Sequence, residues 1–149
     1  MVQKFIGREA ELQVFSEALT SQEAELIAVF GRRRVGKTFL IRHAYQKRMI
    51  FEFSGLKDTK TAHQLERFRL ALVKTFAIEA PLGKLPSWLH AFSLLSDLLE
   101  KSASATKKKK VIFLDEFPWM DSPRSGFLSA FDNFWNSWAS KQPNLVVVI

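Results

Sequence analysis

Short continuous runs of apolar residues alternate along this chain with segments whose apolar residues recur at helical spacing. The continuous runs are rich in β-branched and aromatic residues, which is typical of strands buried on both faces of a parallel sheet. They predict strands at Glu25 to Phe30, Met49 to Phe53, Val111 to Leu114 and Leu145 to Ile149.

Two helices are predicted around the first of these strands. Leu12, Phe15 and Leu19 recur at helical spacing and predict a helix from about Arg8 to Ser21. The segment KTFLIRHAYQKR, which follows the first strand and a short loop, predicts the second helix.

Three more helices are predicted further along the chain. Two have the breakers Pro81, Gly83 and Pro86 between them, and their apolar faces are marked by Leu65, Phe68, Leu72 and Phe76 and by Leu89, Phe92, Leu95 and Leu99. For the third helix, Ser122 is the predicted N-cap and Pro123 the first helical residue. This helix should end before Pro143, and its apolar face carries Phe127, Phe131, Phe134, Trp135 and Trp138.

Strands that alternate with helices predict an α/β fold with a mainly parallel sheet and helices on both faces. The length of 149 residues predicts one domain. The segment KSASATKKKK before the third strand reads as a solvated surface loop.

A phosphate-binding motif follows the first strand. Gly31, Gly36, Lys37 and Thr38 satisfy G-x-x-x-x-G-K-[ST], in which backbone amides and a helix N-terminus cradle phosphates. Lys37 would reach the β- and γ-phosphates, and the Thr38 hydroxyl would bind Mg²⁺. The predicted nucleotide-binding segment comprises Gly31, Arg32, Arg33, Arg34, Val35, Gly36, Lys37, Thr38 and Phe39. The alternative is an ordinary glycine-rich turn.

Two acids end the third predicted strand. Because ligands collect at the carboxyl ends of parallel strands, Asp115 and Glu116 should lie on the same edge of the sheet as the phosphate loop. Asp115 would hold Mg²⁺, and Glu116 would orient and polarise the attacking water. The alternative is that these acids merely terminate a strand. ATP is favoured over GTP because the guanine-selective N-K-x-D sequence is absent from the chain.

Composition and charge indicate which partners, metal sites and cellular location to expect. A net charge of +7 and a pI near 9.9 favour polyanionic partners such as nucleotides, nucleic acids or acidic membranes. The chain has no cysteine, and its three histidines are scattered, so a metal site made of protein ligands alone is not expected. No apolar stretch approaches the roughly 20 residues that span a bilayer, and the first residues lack a signal-peptide pattern. We therefore expect a soluble cytoplasmic protein.

The segments FIGREAELQVF, IAVFGRRRVGKTFLIRHA, VIFLDEFPWMDSPRSGFLSAFDNFW and LVVVI resemble the archaeal-type ATPase family. This family lies within the STAND ATPases, which are related to AAA+ proteins. The resemblance implies ATP and Mg²⁺ as cofactors and an ASCE-type P-loop core, in which a further strand separates the phosphate-loop strand from the strand that bears the acids. That intervening strand would be Leu145 to Ile149.

The resemblance also implies an adenine site near the start of the chain, formed by Phe5, Ile6, Gly7, Arg8 and Glu9. The alternative is a helix N-terminus that packs on the core. In relatives, a polar sensor residue, a fifth strand, an arginine-bearing segment, a winged-helix lid and often a nuclease-like domain follow the fourth strand. Residues 1–149 are therefore expected to be the N-terminal portion of such an ATPase domain, truncated after the fourth strand.

Several roles stay open at this point. Arg32, Arg33 and Arg34 could be solvated charges, could speed nucleotide capture, or could contact a lid, a neighbouring subunit of a homo-oligomer, or nucleic acid. The lysine run Lys107 to Lys110 could bind nucleic acid electrostatically. Beside an ATPase, the sequence allows a nucleotide-dependent switch with little turnover and, on charge and analogy alone, a DNA-binding regulator.

Overall fold

The computed structural model describes residues 9–29, 36–102 and 108–149. The strands are β1 (Glu25–Ile27), β2 (Met49–Ser54), β3 (Lys110–Asp115) and β4 (Leu145–Val148). The α-helices are α1 (Glu9–Thr20), α2 (Lys37–Tyr45), α3 (Thr61–Thr75), α4 (Trp88–Lys101), α5 (Phe117–Met120) and α6 (Phe127–Ser137), and a 3₁₀ turn (Ala139–Lys141) follows α6.

The four strands pair in parallel in the order β1-β4-β3-β2. The last strand in the sequence therefore lies between β1 and β3, with Val147 opposite Leu26 on one side and opposite Ile112 on the other. This order confirms the prediction that a strand separates the phosphate-loop strand from the strand that bears Asp115. It also places the carboxyl ends of all four strands on one edge of the sheet.

Helices cover both faces of the sheet, as predicted. Along β3, Val111 and Phe113 point to the core formed with α1 and α2, whereas Ile112 and Leu114 point to the core formed with α3, α4 and α6. Successive residues of a strand face opposite sides, so a strand covered on both faces is apolar at every position. The continuous apolar runs of the sequence have this physical origin.

The larger of the two cores contains a cluster of aromatic rings. Trp88 lies at its centre, edge-to-face with Phe68 and Phe127 at ring-centroid distances of 5.4 and 4.9 Å. Trp88 and Phe92 are buried on α4, whereas Leu89 is 52% exposed. The assignment of Leu89 to the apolar face of this helix was therefore wrong, because Trp88, Phe92, Leu95 and Leu99 occupy that face.

The predicted start of the last helix at Ser122 and Pro123 is also wrong. The Ser122 hydroxyl lies 2.8 Å from the Thr61 hydroxyl, and the Ser122 carbonyl accepts a turn hydrogen bond from the Ser125 amide at 3.1 Å. Arg124 then takes a left-handed backbone conformation, with φ 62°. Helix α6 begins only at Phe127, after the left-handed residue Gly126.

Lys109 and Lys110, at the end of the lysine run, are less exposed than residues of a solvated loop would be. Within the described residues, Lys109 is only 4% exposed, and its ammonium donates to the carbonyl of Glu23. Desolvation lowers the pKa of Lys109. Lys110 belongs to β3 and donates through Nζ to the Ser102 carbonyl at 2.9 Å. Both ammonium groups thus bind backbone oxygens of this chain, which corrects the prediction of a solvated loop for these two residues.

Other boundaries differ by a few residues. Helix α2 ends at Tyr45, and the predicted continuation to Arg48 forms a turn, in which the Arg48 amide donates to the Tyr45 carbonyl at 2.8 Å. Strand β1 ends at Ile27, although the amide of Val29 still donates to the carbonyl of Ile149 at 2.9 Å. Helix α5 is a single turn that no pattern in the sequence indicates.

Candidate nucleotide-binding site

The first turn of α2 lies at the carboxyl edge of the sheet. Gly36 precedes this helix with φ 80° and ψ 16°, a left-handed conformation that strains any residue with a side chain. Its carbonyl accepts the first hydrogen bond of the helix from the Leu40 amide at 2.8 Å. The amides in the first turn of a helix have no partner within the helix and carry partial positive charge, so this end of α2 favours an anion.

Thr38 and Asp115 meet at this edge, although 77 positions separate them in the sequence. The Thr38 hydroxyl donates to Asp115 Oδ2 at 2.8 Å, and Asp115 Oδ1 accepts from the Glu116 amide at 2.9 Å. Asp115 is only 6% exposed. The two hydrogen bonds fix both carboxylate oxygens and aim one of them at the threonine hydroxyl.

This pair fits a magnesium ion. The Thr38 hydroxyl oxygen can bind the ion directly, and the Asp115 carboxylate, 2.8 Å away, can accept a hydrogen bond from a water that the ion carries. Within the described ranges no three His, Cys, Asp or Glu side chains converge on one point. A pair of hard oxygens is what a magnesium ion needs when substrate phosphate and water supply its other ligands.

Glu116 is held in an unusual backbone conformation directly after β3. Its φ of 53° and ψ of 43° are left-handed, a region that residues other than glycine, Asn and Asp rarely adopt. Glu116 caps the short helix α5, and its carbonyl accepts from the Trp119 amide at 3.0 Å. Strained backbone of this kind is concentrated at functional sites. The sequence did not predict this conformation, because nothing in the letters D-E-F-P-W requires it.

Gly55 at the end of β2 is a site residue that the sequence reasoning missed. Its amide donates to the Asp115 carbonyl at 3.0 Å. A Cβ atom at this position would lie 2.7 Å from the carbonyl oxygen of Glu116 and 2.9 Å from Cγ of Met120. The backbone of the β2 end therefore packs directly against the segment that carries Glu116. A glycine directly after an apolar strand was the available signal for such a close approach.

An ion pair joins α2 to the edge strand β2 beside this site. Arg42 donates through Nε to both carboxylate oxygens of Glu52, at 2.9 and 3.1 Å, and its Nη2 contacts the same carboxylate. The hydrogen bond to Glu52 raises the pKa of Arg42, and the charge of Asp115 contributes further. The pair holds the phosphate-loop helix against the strand next to β3, a contact that sequence spacing does not reveal.

Three of the remaining predicted residues lie within the described ranges. Lys37 is the first residue of α2 and is half-buried. Phe39 is 48% exposed and stacks on His43 with ring centroids 6.2 Å apart. Glu9 begins α1 and is exposed. The other predicted nucleotide contacts, Phe5, Ile6, Gly7, Arg8, Gly31, Arg32, Arg33, Arg34 and Val35, lie outside the described residues.

Comparison with known proteins identifies the family. A family model described as an ATPase domain predominantly from Archaea matches residues 5–149. The chain belongs to this ATPase family. The family assignment confirms the resemblance inferred from the motifs and supports ATP binding and hydrolysis in general terms.

Two archaeal proteins are similar to parts of this chain. An uncharacterized protein of Methanocaldococcus jannaschii is 28% identical over 127 residues, which are 85% of this chain and 25% of that protein. An uncharacterized ATP-binding protein of the same organism is 39% identical over 46 residues, or 31% of this chain and 78% of that protein. The chain thus spans about a quarter of the length of the first of these relatives.

A solved structure shares the fold. The Walker-type ATPase of Pyrococcus abyssi superposes with a TM-score of 0.58 and 20% sequence identity, over 95% of this chain and 43% of that chain. This similarity confirms the α/β architecture of a P-loop ATPase.

No helix in the described part of the chain is long and apolar enough to cross a membrane.

The contact at Gly55 leads to a stability prediction. We expect Gly55→Ala to lower the free energy of unfolding by about 1–3 kcal/mol, because the added methyl group must displace the Glu116 carbonyl or Met120. Chemical denaturation measures this change. Gly83→Ala is the matched control, since a Cβ there meets nothing within 4 Å, and we expect a change within about 0.5 kcal/mol. Equal stability of the two variants would contradict the packing described here.

The left-handed backbone of Glu116 leads to a second prediction. Glu116→Gly should be about 1 kcal/mol more stable than Glu116→Ala, because both lack the carboxylate and only glycine adopts this conformation without strain. At Asp132, an exposed position inside α6, the same two substitutions should rank in the opposite order by about 1 kcal/mol. Urea unfolding of the four variants tests both orders. A more stable alanine at position 116 would exclude the left-handed conformation.

Proposed function

We propose that this chain is a Mg²⁺-dependent ATP-binding domain of the STAND and AAA+-related type that hydrolyses ATP by attack of water on the γ-phosphate. The observation that carries the proposal is the 2.8 Å contact between Thr38 and Asp115 at the N-terminus of α2. It joins the two halves of the motif pair with oxygens suited to magnesium, and membership in an ATPase family supports the same activity.

In this proposal the phosphates bind at the phosphate loop and the first turn of α2. Backbone amides from Gly36 to Phe39 donate to phosphate oxygens, and the Lys37 ammonium neutralises charge on the β- and γ-phosphates. We propose that residues Gly31 to Val35 complete the phosphate-binding loop. Phe5 to Glu9 form the adenine site.

Thr38 and Asp115 would hold the magnesium ion, Asp115 through water, and the ion would supply positive charge against the phosphates. Asp115 is suited to this part because its carboxylate is buried and one of its oxygens is already held by the Glu116 amide.

Glu116 is proposed as the group that orients and polarises the attacking water. It follows the magnesium-binding acid directly, so its carboxylate starts from the same strand end. A carboxylate within hydrogen-bond reach of a water can accept its proton as the oxygen attacks phosphorus. Because the backbone of Glu116 is left-handed, its side chain leaves the backbone in a different direction from that of a further strand residue.

We also propose that a C-terminal lid or a neighbouring subunit raises the rate of ATP hydrolysis. Such a partner would supply further positive charge to the phosphates. Nucleic acid is a weaker proposal. Of the lysines at residues 107–110, Lys109 and Lys110 bind backbone oxygens of this chain, which leaves little of that run for a polyanion.

Nucleotide binding is tested first. We expect Lys37→Ala to weaken MgATP binding at least tenfold, because it removes the cation that meets the phosphates, whereas Lys47→Ala, an exposed lysine just beyond the same helix, should bind as the parent chain does. Isothermal titration calorimetry with MgATP, and with ATP in EDTA, measures both affinities. Thr38→Ala should bind ATP with the same affinity in the two titrations, because it lacks the hydroxyl proposed to bind magnesium. Unchanged MgATP affinity in Lys37→Ala would refute the assignment of the phosphate site.

Hydrolysis is tested separately at Glu116. Glu116→Gln keeps the size of the side chain and removes its basicity, so we expect MgATP affinity within about twofold of the parent and a rate of phosphate release lower by about 10²–10⁴. Asp132→Asn, an exposed acid on α6, is the matched control. Negligible release by the parent chain together with tight MgATP binding would instead indicate a nucleotide-dependent switch with little turnover.

A further inference from the structure

Helix α3 directs a row of polar side chains at the loops beside the proposed site. Thr61, Gln64 and Arg67, spaced by three residues, lie on one side of this helix. Each binds a group outside the helix: Thr61 the Ser122 hydroxyl at 2.8 Å, Gln64 the backbone of Leu56 and Trp119, and Arg67 the Ser54 carbonyl at 2.9 Å. The row connects α3 to the end of β2, to the residues just after it, and to the segment that follows β3.

Gln64 is the central member of this row and is completely buried. Its Oε1 accepts from the Leu56 amide at 3.1 Å, and its Nε2 donates to the Leu56 carbonyl at 3.0 Å and to the Trp119 carbonyl at 2.7 Å. Both donors of the amide are therefore used. A buried amide satisfied in this way fixes the relative position of its partners, because every alternative arrangement leaves a polar group without a partner.

The partners of Gln64 lead directly to the two acids. Gln64 donates to the carbonyl of Trp119, and the amide of Trp119 donates to the carbonyl of Glu116 at 3.0 Å. Trp119 therefore links Gln64 to Glu116. On the other side, Leu56 follows Gly55, whose amide donates to the Asp115 carbonyl at 3.0 Å. Gln64 thus closes a hydrogen-bonded bracket around the Asp115–Trp119 segment.

We propose that Gln64 is a positioning residue for the proposed hydrolysis, acting through the backbone of Glu116 without touching the nucleotide. The inference rests on the proposed function. Glu116 needs external support because its left-handed backbone is strained and α5 is only four residues long. A displacement of about 1 Å in a catalytic group can cost a hundredfold in rate, so a bracket that fixes this backbone acts on the chemical step.

A purely structural role for Gln64 gives different expectations. In that case substitution lowers the temperature of unfolding while catalysis by the folded fraction stays unchanged. In the positioning role, the turnover number falls and the affinity for MgATP does not. Within the described residues Gln64 itself binds Leu56 and Trp119, and not the first turn of α2, which meets the phosphates in the proposed site.

The experiment compares Gln64→Met, which keeps the length of the side chain and removes its hydrogen bonds, with Ser87→Ala. The Ser87 hydroxyl caps α4 by accepting from the His90 amide at 3.2 Å, so its loss lowers stability away from the two acids. Phosphate release and MgATP binding are measured well below the unfolding temperature of every variant. We expect Gln64→Met to lower kcat at least tenfold with a Kd for MgATP within twofold, and Ser87→Ala to leave both unchanged.

Two further variants identify the route of the effect. In the double variant with Glu116→Gln, Gln64→Met should lower the residual rate by less than twofold, because the group that it positions is already disabled. Thr61→Val breaks the neighbouring contact at the half-buried end of the row and should lower kcat about threefold. It also provides the test if Gln64→Met does not fold.

The measurements distinguish a failure of this inference from a failure of the proposed function. Parent-level kcat in folded Gln64→Met, or in Thr61→Val where Gln64→Met does not fold, would overturn the inference and leave the proposed function standing. A tenfold loss that persists in the Glu116→Gln background would also overturn it, since the effect would not pass through Glu116. A parent chain without Glu116-dependent phosphate release would overturn the proposed hydrolysis and this inference together.

Discussion

The parallel direction of all four strands is the constraint on which the rest of this structure depends. Parallel strands end at the same edge, so the start of α2 after β1 and the acids after β3 are brought together across the intervening strand β4. The contact between Thr38 and Asp115 is the direct result, and it joins residues 77 positions apart. If β1 and β3 ran in opposite directions, the start of α2 and the acids would lie at opposite edges of the sheet.

The same arrangement explains where polar groups are buried. Three polar or charged side chains are buried in the described part of the chain: Gln64, Lys109 and Asp115. Each holds two segments together that are distant in sequence. Asp115 binds α2, Lys109 binds the Glu23 carbonyl before β1, and Gln64 binds the loops after β2 and β3. A buried polar group is costly unless it is satisfied by a hydrogen bond. These contacts therefore favour one arrangement of the segments that they join.

The two faces of the sheet serve the site differently. On one face, α1 and α2 pack on a small aliphatic and aromatic core, and the Tyr45 hydroxyl donates to the Phe15 carbonyl at 2.8 Å, which fixes the helix that begins with Lys37. Burial raises the pKa of Tyr45, so this hydroxyl stays a hydrogen-bond donor. On the other face, the large aromatic core around Trp88 supports α3, and α3 in turn holds the segment after Asp115.

The sequence by itself determined the alternation of strands and helices, the two motifs and the buried faces, because these depend on periodicity and on local residue chemistry. The strand order followed from the resemblance to a known family, since periodicity carries no information on which strands are neighbours. Tertiary structure alone decided the left-handed backbone of Glu116, the close approach of Gly55 and the hydrogen bonds of Gln64, because each depends on atoms from segments far apart in the chain. The start of α6 belongs to the same group. Ser122 has the local features of a helix cap, but its hydroxyl binds Thr61 on another helix, so a contact that no local pattern records decides where α6 begins.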